Sequence, residues 1–190
     1  MVKSNGLTNS DAALQSFEKS VIAAWYEKIN NDVRNDPIKG DMFTPYGTTL
    51  LAAAITEFYW FAIQIGDGKC FIINRDGCVS HPVPWDERCF LNRTTSLCDN
   101  EANNNFRHYY SEILPAAIFL GSDGIDDSFP VNNNNEHLTL FYKNIYENFI
   151  SEGLHKGETQ LREMLPLLTQ KGSGDDISIA GIINSPLQQP

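Results

Sequence analysis

Basic residues are scarce in this chain, and their scarcity excludes one class of partner. The 190 residues include 14 Lys and Arg against 24 Asp and Glu, so the formal net charge is −10. Nonspecific binding of nucleic acid needs a cationic face that releases the counterions of the phosphates. We therefore expect no nucleic-acid partner.

Long hydrophobic runs and closely paired cysteines are also lacking. No stretch reaches the roughly 18 apolar residues of a membrane span, and residues 1–10 lack the apolar core of a signal peptide. The cysteines form no Cys-x-x-Cys pair, so a zinc ribbon or a thioredoxin-like site has no support. The sequence therefore predicts a cytoplasmic protein with reduced thiols and no membrane association. The four cysteines are Cys70, Cys78, Cys89 and Cys98.

The hydrophobic content suffices for one folded domain. Apolar residues make up 42% of the chain, which argues against disorder at this length. Apolar residues at helical spacing predict an amphipathic helix that begins at residues 9–11 and ends within residues 30–36. Two further helices are expected at 138–149 and 158–169, and Pro166 should bend or shorten the second.

Strand-like runs separated by turn signals fill most of the remaining chain. The first four should form one antiparallel meander with tight turns, Gly66-Asp67-Gly68 among them. Residues 81–107 read as a long surface loop with a short helix, and residues 184–190 as a tail. Since helices and antiparallel strands form separate runs, the predicted fold class is α+β. The predicted strands cover 48–55, 58–65, 69–74, 78–80, 116–120 and 176–183.

Three acidic loops stand at the ends of strand-like runs. They are Gly66-Asp67-Gly68, Ser122-Asp123-Gly124 and Gly174-Asp175-Asp176. Carboxylate oxygens are the ligands that Mg²⁺ and Mn²⁺ prefer, so the three aspartates could line a metal site if the fold brings them together. The plainer interpretation of each loop taken singly is a routine Asp-Gly turn.

The order of these motifs resembles a known family. Gly47-Thr48-Thr49, Gly66-Asp67-Gly68, residues 121–127 and residues 174–178 are similar to successive motifs of the PP2C (PPM) metal-dependent protein phosphatases, most closely the bacterial branch. The resemblance covers about residues 40–183. It implies a layered sandwich of antiparallel β-sheets flanked by α-helices. It also implies a two-metal site for Mg²⁺ or Mn²⁺ that activates a water to hydrolyse phosphoserine or phosphothreonine.

The resemblance implies roles for individual residues. Asp123 and Asp175 match direct metal ligands, and Asp67 matches an aspartate that helps to hold a third, weaker metal. Asp126 and Asp127 should support the loop that carries Asp123. Two positions depart from the family pattern, because Asp176 replaces a more usual Asn and Gly68 replaces a more usual Ser. No residue is assigned a catalytic role beyond metal binding.

The resemblance also implies that part of the family domain is missing. Family members carry N-terminal strands and an Asp-Gly-x-Gly motif whose Asp bridges both metals, and the first helix here resembles the one that follows that motif. We therefore expect residues 1–190 to form a single partial domain, weakly active or inactive as this chain. The loss of strands should leave sheet edges that favour self-association.

Three functions remain open at this point. The first is a serine/threonine phosphatase whose substrate is a phosphoprotein, for example the target of a cognate Ser/Thr kinase. The second is a non-catalytic PP2C-like module that binds a phosphoprotein or partner. The third is an unrelated acidic α+β domain whose Asp-Gly turns are coincidental.

Several other polar residues are weaker candidates. An arginine of the long loop could reach a phosphate, although solvated loop charges are the better interpretation. The histidines His81 and His108 are more simply structural or exposed than proton carriers. Cys70 and Cys78 are expected to be buried free thiols. The loop arginines are Arg88, Arg93 and Arg107.

Overall fold

The computed structural model describes residues 5–35, 41–90 and 93–184. These residues form an α+β fold with two antiparallel sheets, as the sequence predicts. The chain divides into two compact units, one of residues 1–67 and 83–112 and the other of residues 68–82 and 113–190. In chain order the elements are α1 (Asn5–Asn35), a 3-10 helix (Thr44–Tyr46), β1 (Leu50–Ile55), β2 (Trp60–Ile65), β3 (Lys69–Ile73), β4 (Val79–Ser80), α2 (Ala102–Asn105), β5 (Arg107–Ser111), β6 (Ala117–Gly121), α3 (Asp123–Asp126), α4 (Asn134–Glu152), α5 (Leu154–Lys171) and β7 (Ile179–Ile183).

The first unit packs α1 against a three-stranded sheet of order β1-β2-β5. Leu14 and Ile22 of α1 share a core with Ile63 and Ile65 of β2. This core forms because the apolar stripe of the helix meets the alternate, inward-facing residues of the strand.

A buried acid also joins α1 to the sheet of the first unit. Glu18, 3% exposed, lies with its Oε1 atom 2.8 Å from Nδ1 of His108 on β5. Burial raises the pKa of Glu18, and the His108 hydrogen bond and charge oppose that rise. His108 therefore has a structural partner, which agrees with the structural interpretation of this histidine.

The second unit packs α4 against a four-stranded sheet of order β4-β3-β6-β7. Tyr142 of α4 is fully buried, and its ring stacks on that of Phe71 of β3 with centroids 4.4 Å apart. Leu138 and Ile145, one turn away on either side, complete the helical face that contacts the sheet. The helix thus presents the i, i+4 and i+7 positions that its sequence pattern predicts.

The predicted meander is wrong. β2 pairs with β1 and β5, whereas β3 pairs with β4 and β6. Gly66-Asp67-Gly68 is therefore not a hairpin turn but the link between strands of two different sheets. The physical reason is that other strands occupy both edges of β2 and of β3: Gln64 of β2 pairs with Arg107 of β5, and Lys69 of β3 pairs with Gly121 of β6.

Other boundaries differ from the sequence predictions in smaller ways. α1 begins at Asn5, four residues before the predicted start. Residues 107–111 form β5, a strand that was not predicted and that begins at the last residue of the predicted loop. α5 runs through Pro166 to Lys171 and is longer than predicted. Most of the predicted tail, residues 185–190, lies outside the described residues. Within the described ranges, no helix combines the length and apolarity of a membrane span.

Candidate functional site

Two of the three acidic loops lie side by side in the second unit. β6 and β7 are antiparallel, with Gly121 opposite Ile179, so the loop after β6 and the loop before β7 meet at one end of the sheet. The Ser122 N–H donates to the Ser178 carbonyl at 3.0 Å. The Ser178 N–H donates back to the Ser122 hydroxyl oxygen at 2.9 Å. These bonds fix the loop of Asp123 against the loop of Asp175.

A glycine lets the two loops approach closely. A Cβ atom added at Gly124 would lie 2.6 Å from the Asp176 carbonyl oxygen, so no larger residue fits without a main-chain shift. The Ser173 hydroxyl donates to the Gly124 carbonyl at 3.0 Å and adds a second contact between the loops. The close approach of the two loops therefore explains why the third residue of the Ser-Asp-Gly motif is a glycine.

The two aspartates use their carboxylates in the same way. One oxygen of Asp123 accepts the N–H of Gly124 at 3.0 Å. One oxygen of Asp175 accepts the N–H of Asp176 at 2.8 Å. A carboxylate tied to the next main-chain N–H has few orientations, so both acidic groups are held in defined directions at the same end of the sheet.

Asp126 is a third acid of this region, and it is mostly buried. Its carboxylate forms an ion pair with Lys69 of β3, and both side chains are 12% exposed. Burial raises the pKa of Asp126 to about 6, although Lys69 lowers it and the charges of Asp127 and Asp123 raise it further. Asp126 is thus a mostly buried acid close to the loop of Asp123, and its carboxylate is paired with the ammonium group of Lys69.

Asp126 should make stability depend on pH in a defined direction. Its folded pKa of about 6 lies above the ordinary 3.8, so the folded state keeps a proton that the unfolded state has released. The free energy of unfolding should fall by up to about 3 kcal/mol from this group as the pH rises from about 4 to about 6. Urea unfolding should show that Asp126→Asn removes this part of the slope.

Asp127 provides the matched control for that measurement. It is the exposed neighbour of Asp126, and Asp127→Asn changes the formal charge by the same amount. The control should keep most of the wild-type slope between pH 4 and pH 6, because the charge of Asp127 contributes less than burial to the raised pKa of Asp126. An unchanged slope in Asp126→Asn would contradict the assignment of this pH dependence to Asp126.

The third acidic loop is built differently, and its aspartate, Asp67, belongs to the first unit. Gly66 has a φ of +104°, and a Cβ atom there would lie 2.3 Å from the Thr49 methyl group. Thr49 is part of the Gly47-Thr48-Thr49 motif, which gives that motif a packing role against the loop. Asp67, the next residue, is partly exposed.

The described residues bring two of the three predicted ligands onto neighbouring loops. Across residues 5–35, 41–90 and 93–184, no group of three or more His, Cys, Asp or Glu side chains is placed to hold a metal ion. Asp123 and Asp175 therefore lie on two loops that are hydrogen-bonded to each other, and Asp67 lies in the first unit.

The arginines of the predicted loop do not share one environment. Arg107, expected to be a solvated charge, is 9% exposed and lies 3.7 Å from the Asp86 carboxylate, so that expectation is wrong. Arg88 donates to the same carboxylate at 2.7 Å. Arg93 is exposed. Sequence reasoning overlooked Asp86, because nothing in its spacing marks it as the common partner of two arginines.

The remaining weak candidates have ordinary environments. His81 lies against the ring of Phe71, with centroids 5.7 Å apart. Cys70 is buried, and burial raises the pKa of its thiol to about 12. Cys78 is exposed, so the expectation that both thiols are buried is wrong for Cys78. It stands in the turn between β3 and β4, where the strand pairing leaves it outside the core.

Solved structures share this fold at low sequence identity. A bacterial serine phosphatase matches with 14% identity and a TM-score of 0.57, over 97% of this chain and 72% of that chain. Stp1 from Staphylococcus aureus, a serine/threonine phosphatase, matches with 13% identity and a TM-score of 0.57, over 97% and 70%. PppA, described as a key regulatory component of T6SS in Pseudomonas aeruginosa, matches with 14% identity and a TM-score of 0.57, over 90% and 69%.

Sequence comparison defines the family. No curated protein matches the chain. A family model described as Protein phosphatase 2C matches residues 3–166, which is most of the chain. The match includes the loops of Asp67 and Asp123 and ends before Asp175, whose loop is joined to that of Asp123 by the hydrogen bonds of Ser122. On this evidence the chain belongs to the protein phosphatase 2C family.

Proposed function

We propose that Asp123 and Asp175 bind a divalent cation, Mg²⁺ or Mn²⁺, in this PP2C-type serine/threonine phosphatase domain. The observation that carries the proposal is the pairing of the two acidic loops at one end of β6 and β7. Asp67 is proposed to contribute to a weaker, accessory cation site. The proposed substrates are phosphoserine and phosphothreonine in a phosphoprotein.

The donor set supports this choice of cation. Carboxylate oxygens suit hard divalent ions such as Mg²⁺ and Mn²⁺, which also retain several waters. When bound, such an ion lowers the pKa of a coordinated water and neutralises charge on a phosphate. The contribution of the chain is to hold the acidic groups in place. Asp123 and Asp175 are each tied to the next main-chain N–H, and Gly124 keeps their loops in contact.

Two carboxylates alone should bind a cation weakly. A hard divalent ion takes about six oxygen ligands, and Asp123 and Asp175 supply only part of that number. Neighbouring carboxylates also repel each other when no cation lies between them. We therefore expect the 190-residue chain to bind Mn²⁺ with a Kd on the order of 0.1–1 mM or weaker, and to show little phosphatase turnover.

Calorimetric titration with Mn²⁺ tests this proposal directly. Asp123→Asn and Asp175→Asn should each weaken binding about tenfold or more, because each removes a charged ligand. Glu163→Gln, which changes an exposed acid of α5 outside both loops, should leave binding unchanged. Equal binding in all four proteins would contradict the ligand assignment. Robust phosphopeptide turnover that Asp123→Ala abolishes would support the ligand role of Asp123 and contradict the low activity of this chain.

A second candidate function is a non-catalytic module that binds a phosphoprotein. It is favoured by the observation that no group of three ligating side chains occurs among the described residues. Binding of a phosphopeptide without Mn²⁺-dependent turnover would support this alternative, whereas turnover would exclude it.

The partner proposals follow from the same domain. The protein itself is proposed to be cytoplasmic, and its phosphoprotein substrate is proposed to be the target of a cognate Ser/Thr kinase. We also propose self-association through β1 and β7, which lie at sheet edges and contain no charged residue or proline. Such edges favour strand pairing between chains. Light scattering on the titration samples would contradict this part if the chain stays monomeric at all concentrations.

A further inference from the structure

Side chains rather than strand neighbours hold the main chain at Gly66. The Gly66 N–H donates to the Thr95 hydroxyl at 3.0 Å. The Gly66 carbonyl accepts from Nε2 of Gln64 at 3.3 Å and from the guanidinium of Arg107. Gly66 immediately precedes Asp67, so these contacts fix the main-chain position from which Asp67 extends.

One buried carboxylate supports two of the groups that hold Gly66. Asp86, 3% exposed, accepts the Thr95 hydroxyl at 3.0 Å. Its oxygen also lies 3.7 Å from Nε of Arg107. Thr95 and Arg107 contact the N–H and the carbonyl of Gly66 respectively. Asp86 therefore supports the first contact through a hydrogen bond and the second through its charge.

Charge balance explains why Asp86 occupies this position. Arg107 is a buried cation, and an isolated buried charge is strongly unfavourable. Asp86 supplies the opposite charge, and the carboxylate of Asp67 also acts favourably on Arg107. Burial alone raises the pKa of Asp86, but hydrogen bonds from Arg88 and Thr95 and the charge of Arg107 outweigh it, so the pKa lies below its ordinary value. Asp86 is thus held as a carboxylate, the form that accepts the hydrogen bonds of Thr95 and Arg88.

We propose that Asp86 and Thr95 are positioning residues that fix the main chain at Gly66 and so direct the Asp67 carboxylate toward a divalent cation. The cation part of this inference rests on the proposed function, whereas the positioning part rests on the contacts of Gly66. Thr95 is the relay, because its single hydroxyl accepts from Gly66 and donates to Asp86.

The Thr95→Val and Thr95→Ser variants of the full chain separate this role from simple packing. Valine keeps the shape and removes the hydroxyl, whereas serine keeps the hydroxyl and removes a methyl group. In Thr95→Val the Gly66 amide should exchange its hydrogen about five- to tenfold faster, as expected for the loss of one hydrogen bond. In Thr95→Ser the exchange rate should stay near that of the wild type.

Paramagnetic Mn²⁺ provides the second measurement. Because Lys69 pairs with Gly121, a cation at Asp123 and Asp175 would itself broaden the Gly68 amide signal, so the proteins compared all carry Asp123→Asn and Asp175→Asn. In this background, sub-stoichiometric Mn²⁺ should broaden the Gly68 amide signal with Thr95 intact and in Thr95→Ser, and broaden it several-fold less in Thr95→Val at equal Mn²⁺. A merely structural role of Thr95 would change the melting temperature and leave this contrast unchanged. The inference is overturned if Thr95→Val leaves Gly66 exchange at the wild-type rate, or if Thr95→Ser behaves like Thr95→Val.

The two measurements distinguish the inference from the proposed function. Absence of Mn²⁺ broadening at Gly68 in the Asp123→Asn, Asp175→Asn background with Thr95 intact would contradict a cation role for Asp67. The exchange contrast at Gly66 would in that case still decide whether Thr95 positions the loop.

Discussion

Replacing Gly66 with alanine should lower the free energy of unfolding by about 2–5 kcal/mol. One part of the loss is the φ of +104°, which costs a residue with a Cβ atom about 1–2 kcal/mol. The other part is steric, because the new Cβ atom would lie 2.3 Å from Cγ2 and 2.5 Å from Cβ of Thr49. Overpacking of this kind costs about 1–3 kcal/mol. Urea unfolding followed by tryptophan fluorescence measures the loss, since Trp60 is buried in the adjacent strand β2.

Gly77 provides the matched control for this experiment. Its φ of +83° imposes a similar backbone penalty, but a Cβ atom there would meet nothing within 4 Å. Gly77→Ala should therefore cost only the backbone part, about 1–2 kcal/mol. Equal losses in the two variants would show that Thr49 does not restrict Gly66, and would remove the packing role of the Gly47-Thr48-Thr49 motif.

Replacing Gly121 with alanine should cost about 3 kcal/mol, and a second substitution should recover most of it. The new Cβ atom would lie 2.1 Å from the Tyr142 hydroxyl oxygen and 2.9 Å from Cδ1 of Ile125. Tyr142 cannot easily move, since it is fully buried and stacked on Phe71. Removing its hydroxyl with Tyr142→Phe increases the space at this point, because the next ring atom is 3.4 Å away.

The single variant Tyr142→Phe should itself be neutral or stabilising by up to about 1 kcal/mol. Its hydroxyl is buried and has no hydrogen-bond partner within the described part of the chain, and an unsatisfied buried polar group destabilises a fold. A double-mutant cycle should give a favourable coupling of about 1–3 kcal/mol between Gly121→Ala and Tyr142→Phe. Strictly additive effects would contradict a clash at the hydroxyl.

Local patterns in the sequence were enough to predict most elements of the fold. The stripe that contains Leu14 predicts α1, and the runs at 48–55 and 58–65 predict the β1–β2 hairpin. These patterns work because helix and strand periodicities record which face is buried. β5 was missed because its start, Arg107-His108, is polar. The acids that contact these two side chains, Asp86 and Glu18 respectively, are distant in the sequence.

The candidate site was predictable only as a set of loops. An Asp-Gly sequence indicates a turn, but it does not show which turns become neighbours. The pairing of Gly121 with Ile179 places the loop of Asp123 beside the loop of Asp175. That register depends on β6 and β7, two strands that are far apart in the sequence. Likewise, Thr95 contacts Gly66 through a tertiary hydrogen bond that no short motif encodes. The resemblance to the family suggested what these residues do, whereas the contacts between their loops could be seen only in the fold.

The link at Gly66-Asp67-Gly68 has a consequence for the kinetics of folding. The strands on either side of it, β2 and β3, do not pair with each other, so the local hairpins β1–β2 and β3–β4 are each completed by a strand that lies much later in the chain, β5 and β6 respectively. Gln64 pairs with Arg107, and Lys69 pairs with Gly121. Closing such long loops before any contact rewards them slows folding, and it leaves one edge of β2 and one edge of β3 unpaired meanwhile. We expect refolding to be slow and its yield to fall as the protein concentration rises.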